Sequence, residues 1–209
     1  MQASPWQGLF EADKRLFFVA ICLLTFLVLL LKKSFIESEI AAFEIMEAQG
    51  RNQAFHLTNF IQYVTIPFFY AWKFLLIAFV LWTGCFMFGH KFSFGNTWSV
   101  VMASELVFFI PELLKIGWFT FFETDPSIWE VKAFYPFSLL QLTDWTQIDE
   151  RYYYPLKTLN LFELAYWFLL AKGIQHFTPK IKNRAYLIVM GSYVVGLMLW
   201  LLFFLIVFK

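Results

Sequence analysis

Lys73, Glu112 and Glu163 are charged side chains set inside apolar stretches long enough to cross a membrane. An ionised group is costly in hydrocarbon, so such residues face a protein interior or a watery cavity and take a partner. One cation and two carboxylates offer two kinds of chemistry. As a polar cavity they bind or relay a proton, an ion, or an anionic or zwitterionic headgroup. As a salt-bridge network, Lys73 pairs Glu112 or Glu163 and the charges only fix helix register. Depth favours a common centre. At 1.5 Å per residue, Lys73 lies ~24 Å above Gly89, Glu112 ~24 Å above Asn96 and Glu163 ~22 Å above Thr178.

Two further charges join this centre or face a neighbouring subunit. Glu105 precedes Glu112 by one heptad on the same expected face, and Lys115 follows it by three residues. Pro67 and Pro111 fall inside the same stretches. A proline in a helix interior removes one hydrogen bond and frees the carbonyl four residues back, here Tyr63 and Val107, so both are expected helix kinks. Freed carbonyls at membrane depth are tolerated where they are buried in protein or line a cavity.

No other chemistry is legible. His56, His90 and His176 are widely separated, and Cys22 and Cys85 have neither metal spacing nor a disulfide framework. H-E-x-x-H, G-x-S-x-G, P-loop and G-x-G-x-x-G patterns are absent. No catalytic residue, metal or cofactor is indicated. The formal net charge of +1 gives no reason to expect nucleic acid.

The elements that must hold this centre follow from composition. The 209 residues are 60% hydrophobic, 22% aromatic and 15% charged, with mean hydropathy +0.64. A soluble domain carries roughly 25% charge, so this is a single all-α membrane bundle spanning 1–209. Five stretches approach the ~20 apolar residues a bilayer requires: about 14–31, 60–89, 97–122, 159–177 and 185–208. A capping-box pattern at Ser34 and Glu37 opens an expected amphipathic helix at about 35–49, with an acidic polar face. The connection 123–158 is broken by Pro126, Pro136 and Pro155 and carries Trp129, Tyr135, Trp145, Tyr152, Tyr153 and Tyr154. Trp and Tyr suit the membrane interface, so an ordered aromatic cap is expected there, offering a surface to a partner or to lipid. Ser99 with Ala103, and Ser192 with Gly196, form small-xxx-small pairs for close helix approach, either inside the chain or between copies.

Lys and Arg divide almost evenly between the two sides, while ten Asp and Glu residues in the 32–59 and 123–158 connections face away from the short basic turns. The expectation is an N-terminus in the cytoplasm and a C-terminus outside. The run Gly89, His90, Lys91, Phe92, Ser93, Phe94, Gly95, Asn96, Thr97, Trp98, leading to Pro111, resembles the turn and proline-bearing third span of the Yip (Ypt/Rab-interacting) family of five-span membrane proteins. Trp167 to Gly173, with Asn183, Arg184 and Ala185 opening the last span, is a second echo. The aspartate-leucine-tyrosine-glycine-proline motif and the long cytosolic N-terminal region of eukaryotic members are missing. The resemblance therefore implies a bacterial-type member of an inner membrane, and no specific chemistry. The expected function is a membrane scaffold or accessory subunit, with membrane lipids and a protein partner or a second copy as partners. The alternative is a small transporter or lipid-handling protein using the Lys/Glu centre, with an enzyme ranked last.

Overall fold

The computed structural model describes residues 7–37, 52–123, 126–179 and 184–208. Among them the chain is all-helical, with one isolated antiparallel bridge between Ser138 and Asn160. Five long helical runs follow one another. Helix α1 (Lys14–Lys32) starts at Asp13, whose carboxylate accepts the N–H groups of Arg15 and Leu16. Helix α2 is Asn52–Met87. Helix α3 joins Phe94–Glu105 to Phe109–Phe121 through a 3₁₀ turn, Leu106–Phe108. Helix α4 is Leu161–Phe177. Helix α5 joins Ala185–Val189 to Val195–Val207 through a π turn, Met190–Val194.

Lys14–Ile36, Phe60–Met87 and Ala185–Val207 are long and apolar enough to cross a membrane, and their apolar windows are only 11%, 22% and 22% buried. Such helices suit a lipid-facing girdle. The other two runs bury one face densely and leave another outward, with Ile110, Leu113 and Leu114 of α3 and Leu164 and Phe168 of α4 exposed. Thr97 and every residue of Ser99–Glu105 are buried, as are Phe162, Glu163, Tyr166, Leu170 and Gly173 on α4. Phe74, Ala78, Leu81 and Cys85 line the inward stripe of α2 at helical spacing. Close approach relies on small residues. A β-carbon at Gly84 of α2 would stand 2.5 Å from Ser192 of α5, and one at Gly173 of α4 would collide with Val100 of α3. Ser192 is thus spent on packing inside the chain.

The expected boundaries shift in three places. The chain does not start a new helix at Ser34: α1 runs on as a π turn, Lys33–Glu37. The remainder of the expected 35–49 helix lies outside the described residues. Helix α2 begins before residue 60 and continues through Pro67 without a break in its helical assignment. Helix α4 starts at Leu161, not 159, because Asn160 caps it by accepting the N–H of Glu163.

The connection after α3, described from residue 126, is built from short helical pieces, here called the cap. A helix, Ile128–Ala133, opens with a complete capping box between Ser127 and Glu130. Short 3₁₀ turns follow, and a helix, Tyr153–Thr158, leads back to α4. The opposite, basal end holds the start of α1, the turn between α2 and α3, and the end of α4. There Glu11 meets His176 at 3.0 Å.

Candidate functional site

The charged side chains form two layers inside the bundle. In the deeper layer Lys73 of α2 pairs with Glu105 of α3 at 2.5 Å and sits over the Phe108 ring at 5.0 Å. Glu105 is 3% exposed and Lys73 31%, so the carboxylate is interior and the ammonium reaches it from the margin. Across α3, Glu163 Oε1 accepts hydrogen bonds from Trp167 Nε1 and Tyr193 OH, each 2.8 Å. Glu163 occupies the first turn of α4, where the positive end of the helix dipole favours a carboxylate. Tyr166 fills the space between, its ring 5.0 Å from Phe108 and 5.4 Å from Tyr193. Ser104 Oγ, Glu105 Oε2 and Tyr166 OH are buried here without a hydrogen-bond partner.

The upper layer joins bundle to cap. Glu112 of α3 pairs with Lys32 of α1. Lys115, buried at the next turn, donates to the carbonyls of Val131 and Phe134, the latter at 3.1 Å, so it carries the cap and not the deeper layer. Lys157 donates to the Lys132 carbonyl at 2.5 Å. Burial lowers the Lys157 ammonium pKa; the negative charge of Glu112 opposes this and the positive charge of Lys32 adds to it. Burial likewise raises the Tyr135 phenol pKa, and the charges of Glu112, Glu163 and Glu105 raise it further.

Lys73 therefore meets neither Glu112 nor Glu163, the partners expected from depth. The reason is height along α3: Glu112 lies seven residues, ~10 Å, beyond Glu105, so Lys73, at the level of Glu105, does not reach it. Glu105 turns to α2 and Glu112 to α1. Lys32, Ser104, Tyr166 and Tyr193 escaped sequence reasoning. Lys32 read as the end of a span, and a hydroxyl inside an apolar run gives no warning. The Asn160 cap with Glu163 three residues on was the available signal for the start of α4.

The cap aromatics divide. Trp129, Tyr152 and Tyr154 are exposed, while Tyr135, Trp145 and Tyr153 are half-buried. Tyr153 OH bonds the Trp145 carbonyl at 2.8 Å within the cap. Tyr154 accepts from Trp200 Nε1 at 3.1 Å and packs on Phe204, tying the cap to α5. The most exposed large apolar side chains of the cap are Leu142 at 82% and Phe137 at 65%. Phe137 has φ +55°, a left-handed conformation unusual for a bulky residue. It is held there by Leu161 N–H on its own carbonyl, 3.1 Å, and by Leu139 N–H on Leu159, 3.0 Å.

No family model, curated protein or solved structure matches this chain.

Proposed function

We propose that all five long helices cross the membrane and that the protein is a scaffold or accessory subunit whose cap is its docking surface. The observation that carries this reading is Phe137, a strained residue kept in place by bridge hydrogen bonds while its ring faces outward. Left-handed backbone at a bulky residue costs about 1–2 kcal/mol. Such strain collects at functional positions, where the surrounding fold over-determines it. Interior charge supports the same reading: Lys73, Glu112, Lys115 and Glu163 each have a partner within the chain. Kinship with bacterial Yip-like proteins, an inner-membrane location and a cytoplasmic N-terminus belong to this reading. The test is gentle extraction from the native membrane and mass analysis of the intact particle. A stoichiometric partner or a second copy, lost in Phe137→Asn with Leu142→Ser, is the expected result. A particle always holding one chain alone would refute it.

A second reading rests on a different observation. Ser104 Oγ, Glu105 Oε2 and Tyr166 OH are buried polar atoms without partners around the Lys73–Glu105 pair. Unsatisfied polar groups are rare in folded interiors and suit a proton or small polar solute. On this reading the chain is a small transporter or lipid-handling protein, and Glu105→Gln abolishes flux in vesicles while the fold persists.

A further inference from the structure

The basal end carries a cavity of about 360 Å³ beside the turn between α2 and α3, lined by Trp82, Phe86, His90, Lys91, Phe92 and Ser93. Its shape is set locally. Gly89, at φ +77°, ends α2 and lets the His90 N–H close onto the Cys85 carbonyl at 2.9 Å. Trp82 Nε1 bonds the Phe92 carbonyl at 3.0 Å and braces the far wall. His90 Nε2 is buried there without a hydrogen-bond partner. Ser93 caps α3 without using its side chain, leaving the positive end of that helix open.

A cation stands beside that positive end. The position a β-carbon would take at Gly95 lies 2.9 Å from Lys14 Nζ and 3.7 Å from Ser93 Oγ. An ammonium next to a helix N-terminus is unfavourable unless an anion joins them. No carboxylate at this end is free to serve. Glu11 is engaged by His176, and Asp13 by the N–H groups of Arg15 and Leu16. The described residues at this end otherwise add Arg15, Lys91 and Arg184 and no further acid. Phe86, 71% exposed, continues the cavity wall onto the apolar face of α2.

We propose that this cavity binds the phosphate of an anionic phospholipid, taken from the leaflet in which the basal end sits. Lys14, Lys91, the His90 ring and the α3 N-terminus hold the phosphate, and Trp82 and Phe86 receive the acyl chain. The inference rests on the membrane reading alone and is independent of what the cap binds. Its test is intact-mass analysis of the protein released from bilayers of equal phosphatidylglycerol and phosphatidylcholine. Wild type should retain one phosphatidylglycerol at least tenfold in preference. Lys14→Gln with Lys91→Gln should lose that preference, and Lys132→Gln, in the cap, should keep it. A His90→Gln variant with Lys14 and Lys91 intact should show a partial loss, which separates the cavity from general surface charge. Equal retention of the two lipids, or unchanged preference in the double variant, overturns the proposal. So does stabilisation by inorganic phosphate equal to that by phosphatidylglycerol, which would make this a soluble-anion site. Carbonate extraction separately checks that the protein is integral to the membrane.

Discussion

At the residue scale, what matters is which charges share a fate. Glu105 is interior and Lys73 is its cation, so removing either alone leaves an uncompensated charge at depth. Breaking a buried pair by deleting one partner is costly, about 3 kcal/mol, whereas replacing both by apolar groups of similar volume is often close to neutral. Lys73→Met should therefore lower thermal stability in detergent strongly, and Lys73→Met with Glu105→Leu should recover most of it. A loss in the double variant equal to the sum of the two single losses would show that the two side chains act independently. The same experiment bears on function, because the double variant keeps the fold and removes the polar centre. Phe137 gives a prediction of the opposite kind. Asn tolerates left-handed backbone far better than Phe. Phe137→Asn should leave stability unchanged or raise it by up to about 1 kcal/mol, less the lost contact with Phe162, while weakening the particle that the cap builds. A marked fall in melting temperature would instead make Phe137 a packing residue of the cap.

At the element scale, the cap is fastened at a few points, and Lys115 is the deepest of them. Lys115→Met leaves the Val131 and Phe134 carbonyls without their donor, costing about 1–3 kcal/mol of local stability. Limited proteolysis should then cut within 126–159 while α2 and α4 stay intact; unchanged cleavage would mean that the Tyr154 contacts on α5 suffice. Acid should loosen the cap as well. Hydrogen bonds from the Ser127 backbone and hydroxyl lower the Glu130 pKa, and those from the Thr146 hydroxyl and N–H, then Gln147, lower that of Asp144. A carboxylate whose folded pKa is depressed stabilises the fold above its unfolded value, and that stabilisation disappears as pH falls through the folded value. Hydrogen exchange over 127–148, corrected for intrinsic rate, should be slow at pH 6 and faster below about pH 4. Asp144→Asn should flatten that dependence around 144–147. The prolines and aromatic residues of this stretch are visible in the sequence, and the short helical pieces between the prolines follow from them. What the sequence hid was the level of Lys73: residue counts from the helix ends matched it to Glu112, whereas it sits at Glu105, seven residues or ~10 Å lower on α3, and Glu112 meets Lys32 instead. The extension of α1 past Ser34 was hidden as well, because a capping-box pattern does not say whether the preceding helix has ended.

At the scale of the whole molecule, the helices divide by work. The runs that meet the length and hydropathy expected of a membrane-spanning helix are those facing outward. The other two runs carry the charges that composition alone sets against membrane insertion. α3 and α4 turn their charged groups toward α1, α2 and α5, while Ile110, Leu113, Leu114 and Phe168 face outward. Gly173 of α4 lies against Val100 of α3, where a β-carbon cannot fit without displacing the valine branch. Gly173→Leu should therefore separate the two inner helices, and with them the Glu163 cluster from Lys73 and Glu105. Overpacking costs about 1–3 kcal/mol where neighbours give way, and more where they are fixed. Leu187→Ala, on the outward face of α5, provides the matched control. If the inner pair is the organising unit, Gly173→Leu lowers the melting temperature and exposes Trp167 to an aqueous quencher, while Leu187→Ala does neither. If α3 and α4 are merely two more lipid-facing spans, Gly173→Leu is tolerated and Trp167 stays protected. That outcome would leave the Lys73–Glu105 pair facing lipid and remove the ground for the transport reading.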